Sequence, residues 1–227
     1  MSLESLNQNT IQIITVCRDK IEKLHNEFQQ MRGGQYFEEV HKIVCSFFIS
    51  EYVEKLKVSS VNDNTDSIFL CARRLLEIFI TLKYISQTNT FHEMVEYCQR
   101  DRYDYLDGCN ARCIADEKFF PELKDLDNYV LENQQEQAEI LRQYGGKKPK
   151  LMIKMKDMAR SIGYEEEYIY FYKFTSKMLH FCPFSLNGDA NFEHVIHKGV
   201  FLIRIAKYLE EIVKELERIY QSIHGLY

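Results

Sequence analysis

Apolar residues recur along most of this chain at intervals of three and four, which is the period of an α-helix. The clearest stripe runs through Ile14, Cys17, Ile21, Leu24 and Phe28. No segment shows a convincing alternation of apolar and polar residues, the pattern typical of a half-buried strand. The pattern therefore predicts an all-α fold, a multi-helix bundle of about seven helices.

Turn-forming residues divide the N-terminal part into a predicted helical hairpin. Gly33-Gly34 is expected to end the first helix. A second helix is predicted over about 35–57, and the short link makes 1–57 an antiparallel pair. The polar residues 58–66 are typical of a loop.

The rest of the chain, 65–223, is predicted to form the core of a single domain that spans 1–227. Thr90 and Glu93 have the spacing of a capping box, so a helix is expected to begin there. We expect Asp107-Gly108 to break that helix, since glycine disfavours a helix interior.

A polar helix, predicted over 121–144 and ended by Gly145-Gly146, is expected to be an arm or a dimer contact. A short helix to Gly163 should follow, and a long last helix should run from about 191 to 223. The apolar residues of this last helix that are available for packing are Val195, Val200, Ile203, Ile212, Val213 and Leu216.

Residues 67–85 are apolar nearly all the way round a helical wheel, which predicts a buried core helix. Yet Arg73, Arg74 and Glu77 stand in its middle, and Arg73 and Glu77 share one face because they are four apart. Charge is costly to bury unless it is paired. These residues are therefore either a structural ion pair or an anion site in which an arginine binds phosphate and Glu77 orients it.

A second candidate constellation lies at Tyr172, Ser176 and His180, which follow one another at steps of four on one predicted helix. An imidazole one turn beyond a hydroxyl can accept its proton, and Lys173 lies two turns before His180 on nearly the same face. The alternative is a core histidine satisfied by the neighbouring hydroxyl, with Lys173 extending to solvent.

Three motifs in succession carry a family resemblance. They are R-x-x-x-E at 73–77, K-x-K-D-M-A-x-x-x-G at 154–163 and Y-K-x-x-S-x-x-x-H at 172–180. Over about 65–220 the chain resembles a family of bacterial helical domains of unknown function. The last motif also resembles the HEPN superfamily of helical nucleotide-binding domains. Many HEPN proteins are metal-independent ribonucleases of defence systems, with an Arg and then a His on one helix.

The HEPN resemblance implies specific roles for these residues. His180 would be the general base for a ribose 2′-hydroxyl, and Lys173 or Arg73 would stabilise the charge that develops on the phosphate. Ser176 and Tyr172 would position either His180 or the scissile phosphate. This chain has Lys173 where HEPN proteins have arginine, and lysine does not bind a phosphate bidentately. Because other HEPN members are non-catalytic, the alternative function is a silent helical interaction or dimerisation module.

A run of lysines precedes the last of these motifs. It is predicted either to attract an RNA backbone or to be a solvated loop and helix start. The five lysines are Lys147, Lys148, Lys150, Lys154 and Lys156.

The formal charge of −5 argues against a general nucleic-acid coat or a membrane-surface role, although it allows a local basic patch. No secretory signal is visible, and the 7 cysteines show no CxxC spacing, so a reduced, cytoplasmic setting without a membrane span is expected. The expected partners are a second copy of the chain, RNA or a nucleotide, or another protein.

Two E-x-x-H patterns suggest a third alternative. Glu22/His25 and Glu38/His41 each place a carboxylate and an imidazole on one helix face, as in di-iron four-helix proteins. Both histidines stand at the edge of their apolar stripes. We therefore expect no metal and no cofactor, and the di-metal site remains the third alternative.

Overall fold

The computed structural model of the chain describes residues 3–30, 65–119, 126–179 and 190–224. In these ranges all regular structure is helical, which confirms the predicted all-α fold of about seven helices. The helices are α1 (Leu3–Gln30), α2 (Thr65–Thr88), α3 (Phe91–Phe119), α4 (Leu126–Gln143), α5 (Met155–Ser161), α6 (Glu165–Leu179) and α7 (Ala190–His224).

The helices form two compact units. The first unit comprises Met1–Asn89 and Lys154–Tyr227, with helices α1, α2, α5, α6 and α7. The second unit comprises Thr90–Ile153, with α3 and α4. The single domain over 1–227 stays a prediction.

Helix α2 is the centre of the first unit and packs against α5, α6 and α7. Its side chains Phe69, Phe79 and Leu82 are completely buried, which confirms the predicted core helix. Phe69 meets Phe201 of α7 edge to face, with ring centroids 4.6 Å apart, and Phe174 of α6 at 5.6 Å. Aromatic pairs of this geometry stabilise a core beyond the area they bury. Of the described helices, none is long and apolar enough to cross a membrane.

Helix α1 packs against α7 through its predicted apolar stripe. Ile14, Cys17, Ile21 and Leu24 are all buried, as a helical period of three and four requires. The side chain of Phe28 lies outside what the structure describes, as do residues 31–64, which contain the second helix of the predicted hairpin.

Helix α7 confirms only part of the predicted packing. Ile212, Val213 and Leu216 are buried. By contrast, Val200 and Ile203 are 36% and 45% exposed, so their predicted burial is wrong. The reason is that α7 is apolar over more than one face and turns other residues inward here. The side chain of Val195 lies outside the described part of the chain.

Helix α3 runs without interruption through Asp107 and Gly108, so the predicted break is wrong. The buried residues Leu106 and Cys113 keep α3 packed on both sides of the glycine. Glycine costs about 1 kcal/mol relative to alanine in a helix interior, which such packing offsets. Helix α4, within the predicted polar arm, packs against α3.

A glycine turn positions α6. Gly163 follows α5 with φ +76°, and its N–H donates to the Arg160 carbonyl, while the Tyr164 N–H donates to the Ala159 carbonyl at 2.7 Å. These two bonds form a Schellman motif, which favours glycine at the left-handed position. The chain therefore ends α5 and begins α6 within a few residues, and both helices pack against α2.

We predict that Phe201→Ala lowers the free energy of unfolding by about 3–5 kcal/mol, because it empties space in the fully buried ring cluster. Urea denaturation measures this. Ile203→Ala, on the exposed side of the same helix, is the matched control and should change stability by about 0.5 kcal/mol or less. Equal losses for the two variants would contradict the described packing of α7.

Candidate functional site

The charged residues in the middle of α2 form a compact ion pair, as their spacing predicts. The Arg73 Nε donates to Glu77 Oε1 at 3.0 Å, and Arg74 Nη1 donates to Glu77 Oε2 at 3.3 Å. The side chains of Arg73 and Glu77 are only 25% and 17% exposed, whereas that of Arg74 is largely exposed. One half-buried carboxylate therefore holds two guanidinium groups at the surface of the core helix.

This pair meets helix α6 at Tyr172. The Arg73 guanidinium carbon lies 4.7 Å from the centroid of the Tyr172 ring, a cation–π contact. Tyr168, one turn earlier on α6, has its ring 5.9 Å from that of Tyr172. The structure thus brings together Arg73, Glu77 and Tyr172, three of the residues singled out from the sequence, and adds Tyr168.

The pKa of the Tyr168 phenol is raised, chiefly by burial and then by the negative charge of Glu77, with Arg73 opposing the shift. The hydroxyl therefore stays protonated at neutral pH. Tyr168 offers this site a neutral hydrogen-bond donor near Arg73 and Glu77.

The other predicted residues of α6 lie close by along the helix. Lys173 is exposed and Ser176 is half-buried. The buried hydroxyl next to Ser176 belongs to Thr175 and donates to the Phe171 carbonyl, one turn back. His180 lies outside the described residues, so its alignment with Ser176 stays a prediction.

The predicted lysine cluster is divided between the two units. Lys148 extends over the ring of Tyr103, with Nζ 4.5 Å from the centroid. Lys150 pairs with Glu96 through both its backbone N–H and its ammonium group, and Lys156 pairs with a carboxylate at the start of α6. These contacts are local to each unit. The RNA role of Lys147, Lys148, Lys150, Lys154 and Lys156 stays a prediction.

A second charged cluster, which was not predicted, joins α6 to α7. Arg204 Nε donates to Glu167 Oε1 at 3.0 Å, and the hydroxyl of the buried Tyr208 donates to the same oxygen at 2.5 Å. The Arg204 guanidinium carbon lies 5.0 Å from the centroid of the Tyr170 ring. Burial and then the hydrogen bond to Glu167 raise the pKa of Tyr208 far above its usual range.

The sequence does carry a signal for this second cluster. Arg204 stands alone in the apolar run Phe201–Ala206, and Tyr208 follows Arg204 by four residues. Arg204 resembles Arg73 and Arg74 in that charge interrupts an apolar helix. Its carboxylate partner, Glu167, comes from another helix. Spacing along one helix does not identify a partner of that kind.

The second unit has a polar interior of its own. Asn133 and Gln137 of α4 are buried, and both hydrogen-bond to the Asn110 side chain of α3. On the surface, Arg102 of α3 pairs with both carboxylate oxygens of Glu136 of α4 at 2.7 and 2.8 Å. These contacts explain how α3 and α4 pair despite their polar sequences.

The di-metal alternative receives no support where the structure describes it. Among the described residues no three His, Cys, Asp or Glu side chains are grouped to hold a metal ion. Glu22 is exposed and lies 3.6 Å from Arg18, one turn earlier. The side chain of His25, together with Glu38 and His41, lies outside the described part.

The described residues form an all-helical fold, and the central helix of the first unit, α2, holds an arginine–carboxylate–tyrosine site. The chain belongs to a family of unknown function, DUF5677, whose profile matches residues 41–194. The match includes α2 to α6, and it confirms the resemblance to helical domains of unknown function. No curated protein and no solved structure matches the chain. The HEPN resemblance stays a prediction.

We predict that Tyr208→Phe destabilises the protein by about 1–3 kcal/mol at pH 7, because it removes a buried hydrogen bond to a charged acceptor. The pKa of Tyr208 is higher in the folded protein than in the unfolded chain, where it is about 10. Its contribution to stability is therefore fully present below about pH 10 and is lost as the pH rises above that value. Urea denaturation at neutral and alkaline pH should therefore show a weaker alkaline loss in the variant. An identical pH dependence would contradict this role of Tyr208.

Proposed function

We propose that this protein is an RNA-acting helical domain of HEPN type, a metal-independent ribonuclease of the kind found in defence systems. Its proposed site lies where α2 meets α6. The observation that supports it is the half-buried Arg73–Glu77 pair, whose guanidinium group lies over Tyr172 beside the exposed Lys173. The residues of the proposed site are Arg73, Glu77, Tyr172, Lys173, Ser176 and His180.

The geometry of the pair suits phosphate binding. Glu77 accepts a hydrogen bond from the Nε of Arg73. The guanidinium group carries further N–H donors that can bind a phosphate. Glu77 also fixes the orientation of Arg73, so little side-chain entropy would be lost on binding. Arg74 and Lys173 are exposed and add positive charge.

The proposed chemistry is transesterification within RNA. His180 accepts the proton of a ribose 2′-hydroxyl, and the 2′-oxygen attacks the adjacent phosphorus. The bond to the 5′-oxygen breaks, that oxygen takes a proton from water, and a 2′,3′-cyclic phosphate remains. Lys173 or Arg73 stabilises the negative charge that develops on the phosphate oxygens. No step requires a metal ion.

We expect purified protein to cleave RNA in EDTA, and His180→Ala to reduce the rate by about 100-fold or more, as for loss of a general base. Gel analysis of several end-labelled RNAs measures this, with circular dichroism to confirm that the variant is folded. His92→Ala, on α3 of the second unit, is the matched control and should retain full activity.

Two results would contradict the ribonuclease proposal. Cleavage that EDTA abolishes would indicate a metal-dependent activity. The absence of cleavage by the unaltered protein on all RNAs would favour the second candidate function.

The second candidate is a catalytically silent interaction or dimerisation module. The first unit has exposed apolar side chains at Val200 and Ile203, which share one face of α7 because they are three residues apart. Leu70 of α2 is also exposed. A second copy of the chain, or another protein, would cover these side chains in such a module.

If the protein pairs through this face, the double variant Val200→Lys, Ile203→Lys should raise the dimer dissociation constant by about tenfold or more, since charge in a buried apolar interface is costly. Analytical ultracentrifugation over a concentration series measures this. Val16→Lys, at a valine of α1 that is 49% exposed, is the matched control and should leave association unchanged. A dimer that survives the double variant would exclude this face.

A further inference from the structure

We infer that the ligand of this site is unpaired RNA, and that two of its bases stack on Tyr170 and Tyr172 of α6. The inference rests on the proposed function, because it takes RNA as the ligand and names the kind of strand that is bound. Tyr170 and Tyr172 are 40% and 46% exposed, although both belong to a helix that packs against the core. We call these two tyrosines the stacking pair.

Each member of the stacking pair is backed by an arginine from a neighbouring helix. Arg73 of α2 lies 4.7 Å from the Tyr172 centroid, and Arg204 of α7 lies 5.0 Å from that of Tyr170. Both arginines are anchored in turn by half-buried carboxylates, at 3.0 Å in each case. These contacts restrain both rings, and Phe174 stacks on Tyr170 as well, with ring centroids 6.0 Å apart. A base would stack on the part of each ring that these neighbours leave exposed. Such preorganised rings lose little entropy when a base stacks on them.

Exposed aromatic rings with nearby cations are the means by which proteins bind single-stranded nucleic acid. A base stacks on any such ring because every base has a flat π-face, and the contact is largely independent of sequence. In a duplex the faces of each base are already stacked on its neighbours. The stacking pair therefore selects strands whose bases are unpaired.

The charges around the stacking pair suit a phosphate backbone. Tyr170 and Tyr172 are two residues apart, so they lie on opposite sides of the exposed surface of α6, with the exposed Lys173 between them. Around Tyr172 lie three cations, Arg73, Arg74 and Lys173, and one carboxylate, Glu77. Around Tyr170 lie Arg204 and the carboxylates of Glu166 and Glu167, so the excess of positive charge is at Tyr172.

The second unit provides a natural comparison. Tyr105 of α3 is 58% exposed, and the Arg102 guanidinium carbon lies 5.5 Å from its ring centroid. Here, however, three exposed acidic residues stand nearby along the same helix, Asp101, Asp104 and Asp107, against two arginines, Arg100 and Arg102. The acidic residues would repel a phosphate backbone, so Tyr105 has the ring and the arginine without the favourable charge.

Fluorescence tests the inference directly, because the chain has 0 tryptophans. Tyr172→Trp introduces a single indole into the stacking pair, and Tyr105→Trp introduces one at the comparison site. The probe is an unpaired 2′-O-methyl RNA strand, which has no free 2′-hydroxyl and is not cleaved by the proposed chemistry. We expect saturable quenching of the indole at position 172 and no quenching at position 105.

Affinities of the same strand, measured by fluorescence anisotropy, complete the test. Tyr172→Leu and Tyr170→Leu should each weaken binding by about fivefold to a hundredfold, the loss of one stacked base. Tyr172→Phe keeps the ring and should bind more tightly than Tyr172→Leu, whereas Tyr105→Leu, at the comparison site, should bind as the unaltered protein does. A duplex of the same sequence should bind at least about tenfold more weakly.

Two results would overturn the inference in distinguishable ways. If the unaltered protein binds the strand and both leucine variants bind equally well, the stacking pair is wrong while RNA binding stands. If no RNA binds the unaltered protein, the proposed function fails together with the inference. Thermal unfolding and sedimentation of each leucine variant show whether it is folded and whether its association state has changed. If binding is lost only together with folding or with a protein contact, the loss is not due to stacking and the inference fails.

Discussion

Burial of α2 is the constraint on which the first unit depends. Three helices pack around it, and its aromatic side chains meet those of α6 and α7 edge to face. A helix in this position cannot carry unpaired charge in its middle, because the cost of desolvation would exceed the gain from packing. Glu77 removes that conflict by pairing with Arg73 and Arg74 at the edge of the core. The ion pair therefore lies on the side of α2 that faces outward.

The same arrangement recurs on the other side of α6. Arg204 of α7 pairs with Glu167 and lies over Tyr170, as Arg73 pairs with Glu77 and lies over Tyr172. Both guanidinium groups lie against a tyrosine ring that remains partly exposed. The paired arginines therefore lie at the surface next to exposed tyrosine rings. Cations beside exposed aromatic rings are also the groups that proteins use to bind single-stranded nucleic acid.

Patterns that act within one helix were predictable from the sequence. The apolar stripe of α1, the buried character of α2 and the Arg73–Glu77 pair all follow from spacings of three and four. Where tertiary contacts compete with local preference, the predictions were wrong. Gly108 does not interrupt α3, since residues on both sides of it are buried, and two apolar residues of α7 face solvent. Local rules describe one helix at a time, whereas burial is decided by its neighbours.

The sequence by itself determined the helical class, the position of the central helix and the charged residues that mark the site, because helical periodicity and the cost of burying charge act over a few residues. Only the tertiary structure decided that Arg73 lies over Tyr172, that Arg204 reaches Glu167, and that Tyr170 and Tyr172 keep exposed rings. The Arg73–Tyr172 and Arg204–Glu167 contacts join residues that are far apart in the chain. Their meeting depends on how helices pack against one another, and no spacing within a single helix contains that information.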